Sequence, residues 1–181
     1  MLRETVARFA HGELEPQATA HDESATLNTD LLTRCGGLGL LGLTIPEADG
    51  GAGLDTTAAV ITHHEMSKSD PGFTLAYLAH TILFVNNFYH ASDPGQRARI
   101  LPGLLSGHSI GAMAMTEPGA GTDVLGMQTT AKPDGDGYVL NGRKMFITNG
   151  GDADWIMVAA RTDGDSGHRG RQPDQTDDSR Y

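Results

Sequence analysis

The chain has 181 residues, 38% of them hydrophobic and 20% charged, and a formal net charge of −10. That is apolar matter for one packed domain and part of a second, and the excess of carboxylates speaks against nucleic acid and against anionic membrane surfaces as partners. The single cysteine, Cys35, excludes an intrachain disulfide and a cysteine-built metal site, and it reads as a small buried hydrophobe. With no visible secretory signal and no apolar run long enough to cross a bilayer, the expected setting is cytoplasmic.

The first hundred or so residues read as helices. Val6, Phe9, Ala10 and Leu14 have helical spacing, and Gly12 and Pro16 mark the end of the pattern. Thr29-Asp30 can cap a helix through Leu31, Leu32 and Cys35, which Gly36-Gly37 would end. After a Gly-spaced apolar connection to Pro46, Asp55-Thr56-Thr57 can cap a helix through Val60, Ile61 and Met66, broken by Asp70-Pro71-Gly72. The next helix carries Leu75, Leu78, Ile82, Leu83, Val85 and Phe88 around most of its circumference and should be central to a bundle. Ser92-Asp93-Pro94 opens another helix, through Ile100, Leu101 and Leu104.

Near Gly107 the period changes from helical to alternating. Ile110, Ala112, Ala114 and Thr116 alternate with Gly111, Met113 and Met115; strands are also predicted at 138–142, 144–148 and 155–160. Helices first and strands after point to two domains of an α+β chain. The expected organisation is an all-α helical bundle over residues 1–108 and an incomplete antiparallel β-barrel or sandwich over 109–161. A polar tail over 162–181 has nothing apolar enough to offset the entropy of ordering it and is expected to be disordered.

Three patterns that suggest chemistry do not hold. Gly37-Leu38-Gly39-Leu40-Leu41-Gly42 fits G-x-G-x-x-G, but a helix precedes it and Pro46 closes it, so no dinucleotide fold surrounds it. His63-His64-Glu65 places adjacent imidazoles about 100° apart on a helix, away from any common metal. Gly119-Ala120-Gly121-Thr122 lacks the lysine of a phosphate-binding P-loop.

The informative stretch is Ala112 to Val124, AMAMTEPGAGTDV. A strand ends at Thr116, and Pro118 with two glycines forces a tight exposed loop that lets a ligand approach the backbone. Thr116, Thr122 and Asp123 add small polar groups beside an apolar strand, which suits a flat heterocycle with polar edges; an ordinary Gly-Pro hairpin turn is the plain alternative.

This stretch resembles the flavin-binding signature of the acyl-CoA dehydrogenase family. Lys144-Met145-Phe146-Ile147-Thr148-Asn149-Gly150 resembles that family's second flavin-contacting segment. Leu43-Thr44-Ile45-Pro46-Glu47, with Gly50 to Leu54, resembles a feature of its helical N-terminal domain. The likeness runs over roughly residues 1–167.

The resemblance implies FAD as cofactor, with Met113, Met115, Thr116, Gly121, Thr122, Phe146, Ile147 and Thr148 around it. Thr122 would also touch the acyl-CoA, in a position usually filled by Ser, and Phe146 stands where Trp is usual. The implied reaction is α,β-dehydrogenation of an acyl-CoA thioester to the 2-enoyl-CoA, with electrons passing to an electron-transferring flavoprotein and with homo-oligomers for the full-length family. The family's catalytic base is a Glu in a C-terminal helical domain, and the chain ends at Tyr181 before such a domain. No acid in it is therefore assigned as base, and Glu117 belongs to the loop signature. A truncated, weakly active or inactive fragment is expected. The alternatives are a non-catalytic module that binds flavin or acyl-CoA and a subunit fragment completed by a partner chain.

Overall fold

The computed structural model describes residues 1–162. The tail expected over 162–181 lies, apart from Thr162, outside them. The described residues form two compact units: Met1–Met113 with Thr148–Met157, and Ala114–Ile147 with residues 158–162.

The first unit is helical. α1 (Leu2–Phe9) passes through a π-helical segment, Ala10–Leu14, straight into α2 (Glu15–Ser24). Gly12 and Pro16 therefore do not end the helix. Pro16 has no N–H and its ring crowds the carbonyl four residues back; the wider π turn just ahead of it absorbs that misfit. α3 (Thr29–Gly37) is capped by Asn28, whose side chain accepts the Leu31 N–H at 3.1 Å, one residue ahead of the expected cap. Asp55 caps α4 (Thr56–Ser67) through the Ala58 N–H at 3.0 Å. Asp70 ends that helix region and caps α5 (Pro71–Leu78) through the Phe73 N–H at 2.9 Å. α5 continues through a second π segment, Ala79–Asn86, into α6 (Asn87–Ala91). Asp93 and Gln96 form a capping box at the start of α7 (Pro94–Ser106), which Gly107 closes with φ 77°.

Burial follows the expected pattern, with one difference. One core gathers Leu14, Leu32, Met66, Phe73 and Tyr77; the other gathers Ile45, Phe84, Val85, Phe88 and Leu104. The continuous 71–91 helix serves both, so it is central as its composition predicts. Leu75 and Leu83 on the same helix are nevertheless exposed, because the apolar circumference is wider than the surface that covers it. Cys35 is fully buried, and burial raises its thiol pKa to about 12, so it packs as a hydrophobe. The Gly37–Gly42 segment follows α3 directly and forms turns, not the strand-to-helix corner of a dinucleotide fold.

β1 (Gly111–Ala114) begins in this unit, with Gly111 against the Phe84 ring where no side chain would fit. It pairs with β4 (Trp155–Val158). Trp155 N–H donates to Ile110 O and Ala159 N–H to Ala114 O, so the two chains advance together and the pair is parallel. The antiparallel pairing expected for all the strands holds only for β2 (Thr130–Asp134) with β3 (Gly137–Asn141), in the second unit. β2 is absent from the sequence reading because Pro133 interrupts it. The structure tolerates Pro133 because its nitrogen faces away from β3. Among the described residues each sheet has two strands, so the β region is incomplete, as its short run of strands implies.

Residues 144–148 do not form the expected strand. The segment makes one backbone bond, Met145 N–H to Thr116 O at 3.0 Å, and Phe146 turns into the left-handed region with φ 57°. One bond is not a ladder, so the apolar alternation finds no neighbouring strand to pair with.

Candidate cofactor site

The second unit places the signature loop and the 144–147 segment side by side. Glu117 and Ala120 bond each other's backbones around Pro118-Gly119, N–H to O at 2.9 and 3.2 Å. This hairpin turn leaves Pro118, Gly119, Gly121 and Thr122 exposed. Asp123 does not present its carboxylate at the loop tip as the sequence suggested. It turns back and caps the short 3₁₀ turn Val124–Gly126, accepting the Gly126 N–H at 3.0 Å.

Glu117 holds the arrangement together. Its buried carboxylate accepts the backbone N–H of Gln128 at 2.6 Å, the N–H of Thr129 at 3.0 Å and the Lys144 ammonium at 2.8 Å. Lys144 Nζ also donates to Met115 O at 2.9 Å. Burial alone would raise the Glu117 pKa, but the Gln128, Lys144 and Thr129 donors pull it down to about 2. The result is a buried, ionised carboxylate with three donors. It can position a loop, but with its pKa held at about 2 and its side chain buried it is a poor acceptor for a substrate's proton. Sequence reading gave Lys144 no role and Glu117 only membership of a signature. The usable signal was a lone acid between an apolar strand and a Pro-Gly turn, matched by the cations Arg143 and Lys144 opening an apolar segment.

The eight expected cofactor residues divide between the units. Met115, Thr116, Gly121, Thr122, Phe146 and Ile147 lie in the second, and Met113 and Thr148 in the helical one. Thr116 is joined to the 144–147 segment by its bond to Met145. Among the described residues no hydrogen bond ties Gly121 or Thr122 to that pair. Phe146 is 84% exposed, an aromatic ring held outward by a backbone conformation that bulky residues rarely adopt. A cleft of about 460 Å³ lies in the same unit, lined by Pro118, Gly119, Gln128, Asn141, Gly142 and Arg143 among others. None of the eight expected residues lines it. Gly142 packs on Thr129 so closely that a side chain there would collide with the Thr129 hydroxyl.

Whether these residues suit a flavin can be judged from the space around them. A Cβ added to Gly119 or Gly121 would meet nothing within 4 Å, so both glycine backbones are open to a ligand's phosphates. The exposed Phe146 ring offers an apolar plane, and the half-buried Met115 and Thr116 offer a polar edge. The residues fit the group.

In the helical unit, His63 Nδ1 is 2.7 Å from Ala59 O and His64 Nδ1 is 3.2 Å from Glu65 Oε1, so each ring has its own neighbour. No three His, Cys, Asp or Glu residues converge to hold a metal among the described residues. Nor is any described helix long and apolar enough to cross a membrane.

Comparison with known proteins agrees with this geometry. Residues 1–108 match the family described as "Acyl-CoA dehydrogenase, N-terminal domain", and residues 112–173 match "Acyl-CoA dehydrogenase, middle domain". The mitochondrial isovaleryl-CoA dehydrogenase of Bos taurus is 43% identical over 164 residues, covering 90% of this chain and 38% of the relative. The butyryl-CoA dehydrogenase structure from Megasphaera elsdenii superposes with a TM-score of 0.84 at 34% identity, covering 92% of this chain and 44% of that one. A glutaryl-CoA dehydrogenase from Mycobacterium smegmatis, solved in complex with FADH2, gives a TM-score of 0.85 at 35% identity, covering 90% and 42%. The chain thus spans about two fifths of the length of the relatives it matches.

Proposed function

The chain belongs to the acyl-CoA dehydrogenase family, and from that premise we propose that residues 112–124 and 144–148 hold FAD for the α,β-dehydrogenation of an acyl-CoA thioester. The observation that carries this reading is the Glu117–Lys144 pair. It fixes the loop and the second segment to each other, with Phe146 outward and the Gly121 backbone open.

In this reading the Met115 and Thr116 backbone and the Thr116 hydroxyl meet the polar edge of the isoalloxazine. Gly121 and Thr122 approach the phosphates, and Thr122 also touches the acyl-CoA. Phe146 covers the ring face without the hydrogen bond an indole would add, and Met113, Ile147 and Thr148 complete the surroundings. When bound, FAD supplies the acceptor for the hydride that leaves the β-carbon of the thioester. The α-proton needs an accessible carboxylate basic enough to take it. Glu117 is buried and its pKa is held at about 2, so we place the base outside residues 1–162. The chain on its own then binds without turning over. Electron-transferring flavoprotein is the proposed electron acceptor, homo-oligomers the proposed assembly of the whole enzyme, and the cytoplasm the proposed compartment. The relatives named above act on isovaleryl, butyryl and glutaryl thioesters, so they do not single out an acyl group.

The test is co-elution of added FAD with the purified chain on a sizing column, followed by acyl-CoA-dependent dye reduction. Co-elution that Phe146→Ala weakens, with no dye reduction, is the expected result. Failure to retain any flavin would overturn the cofactor reading. Dye reduction by the chain alone would overturn the placement of the base.

A further inference from the structure

Two buried polar side chains in the helical unit have no part in the flavin reading, yet both hold the start of β1. His80 is 1% exposed. Its Nδ1 accepts the Gly111 N–H at 3.1 Å and its Nε2–H donates to Leu104 O at 3.1 Å, so one ring bridges the first residue of β1 and α7. Asn149 is also buried, and its Nδ2 donates to Ala76 O at 2.9 Å and to Gly111 O at 3.5 Å. Both polar groups of Gly111 are thus held by side chains. On the flavin reading above, we propose that His80 and Asn149 are positioning residues for the cofactor, fixing to one helix the two backbones that carry Met113 and Thr148.

The two sit where that spacing is decided. Asn149 directly follows Thr148 and takes φ 65°, a left-handed conformation that Asn tolerates. Gly111 lies two residues before Met113 and is pressed against the 71–91 helix, where a Cβ would come within 2.3 Å of the Phe84 ring. His80 and Phe84, the residues that meet Gly111, both belong to the π segment Ala79–Asn86. Unlike the 10–14 segment, this one has no proline to account for it. Such π turns inside α-helices recur at functional sites.

The bonds also divide their tasks. Ile110 N–H donates to Asp154 Oδ2 at 2.8 Å, and the Asp154 and Trp155 N–H groups donate to Ile110 O at 2.9 and 3.1 Å. These fasten β1 to the chain that returns from Thr148. The His80 and Asn149 bonds fasten that pair to the helix. A buried polar group that is fully bonded returns little net stability over an apolar one, but it fixes direction, which is what holding a cofactor requires.

Fluorescence titration of the full chain with FAD, with visible circular dichroism of the bound flavin, tests this. Asn149→Gly keeps the left-handed turn and removes both donors, and His80→Leu removes the bridge. Each should weaken FAD binding about tenfold and reduce the visible dichroism, which reports how firmly the ring is held. His80→Gln can still accept from Gly111 and donate to Leu104, and should bind within about threefold of the wild type. Asn28→Ala, which removes the α3 cap elsewhere in the same unit, should lower the melting temperature and leave FAD affinity and dichroism unchanged. If His80→Leu does not fold, Asn149→Gly set against Asn28→Ala decides. Wild-type affinity and dichroism in Asn149→Gly overturn the positioning role and leave the flavin reading standing. Equal loss of flavin in Asn28→Ala makes the effect one of stability and overturns the role as well. A wild type that binds no flavin overturns the flavin reading itself, and the positioning role falls with it.

Discussion

The helical unit and the second unit bury their backbones with different materials. In the helical unit two clusters of Leu, Phe, Val and Met do the work, and its polar insertions, such as His80, sit inside an apolar frame. In the second unit there is little apolar interior. Met127, Ala114, Ala120 and Ala131 are its buried hydrophobics, and the large apolar side chains Phe146, Tyr138 and Leu140 lie outside. What orders it is one ionised carboxylate with three donors. An apolar core loses stability a methylene at a time, whereas a buried ion pair loses it all at once when one partner goes. The region proposed to hold a cofactor is therefore the one whose order depends on a single pair.

The sharpest break of that contrast is Lys144→Met, which keeps the length of the side chain and leaves Glu117 buried without its cation. It should destabilise the second unit by about 3 kcal/mol or more. Hydrogen exchange should show the Gln128, Thr129 and Met145 amides opening while those of α5 remain protected. If α5 opens equally, the order of the two units does not have the separate origins argued above.

Acid separates the units by pH window. His80 is buried, with Nε2 3.1 Å from Leu104 O and Nδ1 accepting the Gly111 N–H at 3.1 Å, which fixes the neutral ring with its proton on Nε2. Burial lowers its pKa from 6.5 to about 4, against the opposing pull of Leu104 O. The unfolded chain therefore takes up a proton first, and the helical unit should lose up to about 3 kcal/mol as pH falls from 6.5 to 4, with no further loss from this group below that. Glu117 has its folded pKa lowered from 4.5 to about 2, so its contribution persists at the pH where that of His80 has gone and is lost only as pH falls from 4.5 towards 2. Urea denaturation of the wild type and of His80→Gln at pH 7 and pH 4.5, followed by helical circular dichroism, checks the first window. If the His80→Gln variant has the same pH slope as the wild type, the assignment to His80 is wrong.

The same contrast explains what could be read from the residues alone. Helix starts were legible because a cap is a local bargain. Asp55 and Asp93 each satisfy an amide three residues on, and sequence displays that spacing; Asp70, which reads only as a breaker, does the same for Phe73. The order of helices before strands was legible for the same reason. What failed was non-local. Pro16 looks like a stop until the π turn ahead of it is seen, and 144–148 looks like a strand until its missing neighbour is seen. Pro133 hides a strand whose free nitrogen faces outward. The two signature segments were recognised as words, but Glu117 and Lys144, which bind them together, are 27 positions apart and show no periodicity.

The smallest effect keeps the contrast honest on the helical side. Asp93 accepts the Gln96 N–H at 2.9 Å, and Gln96 answers by accepting the Asp93 N–H at 3.0 Å. Asp93→Ala removes half of that box at the exposed start of α7 and should cost about 1 kcal/mol. Because the loss is confined to one helix end, the buried Ile100, Leu101 and Leu104 further along α7 should keep their exchange protection, and only the amides of the first turn should open. Opening of the whole helix would mean that α7 rests on its cap, in the way the second unit rests on Glu117, and the division between the two kinds of order would fail where it ought to be strongest.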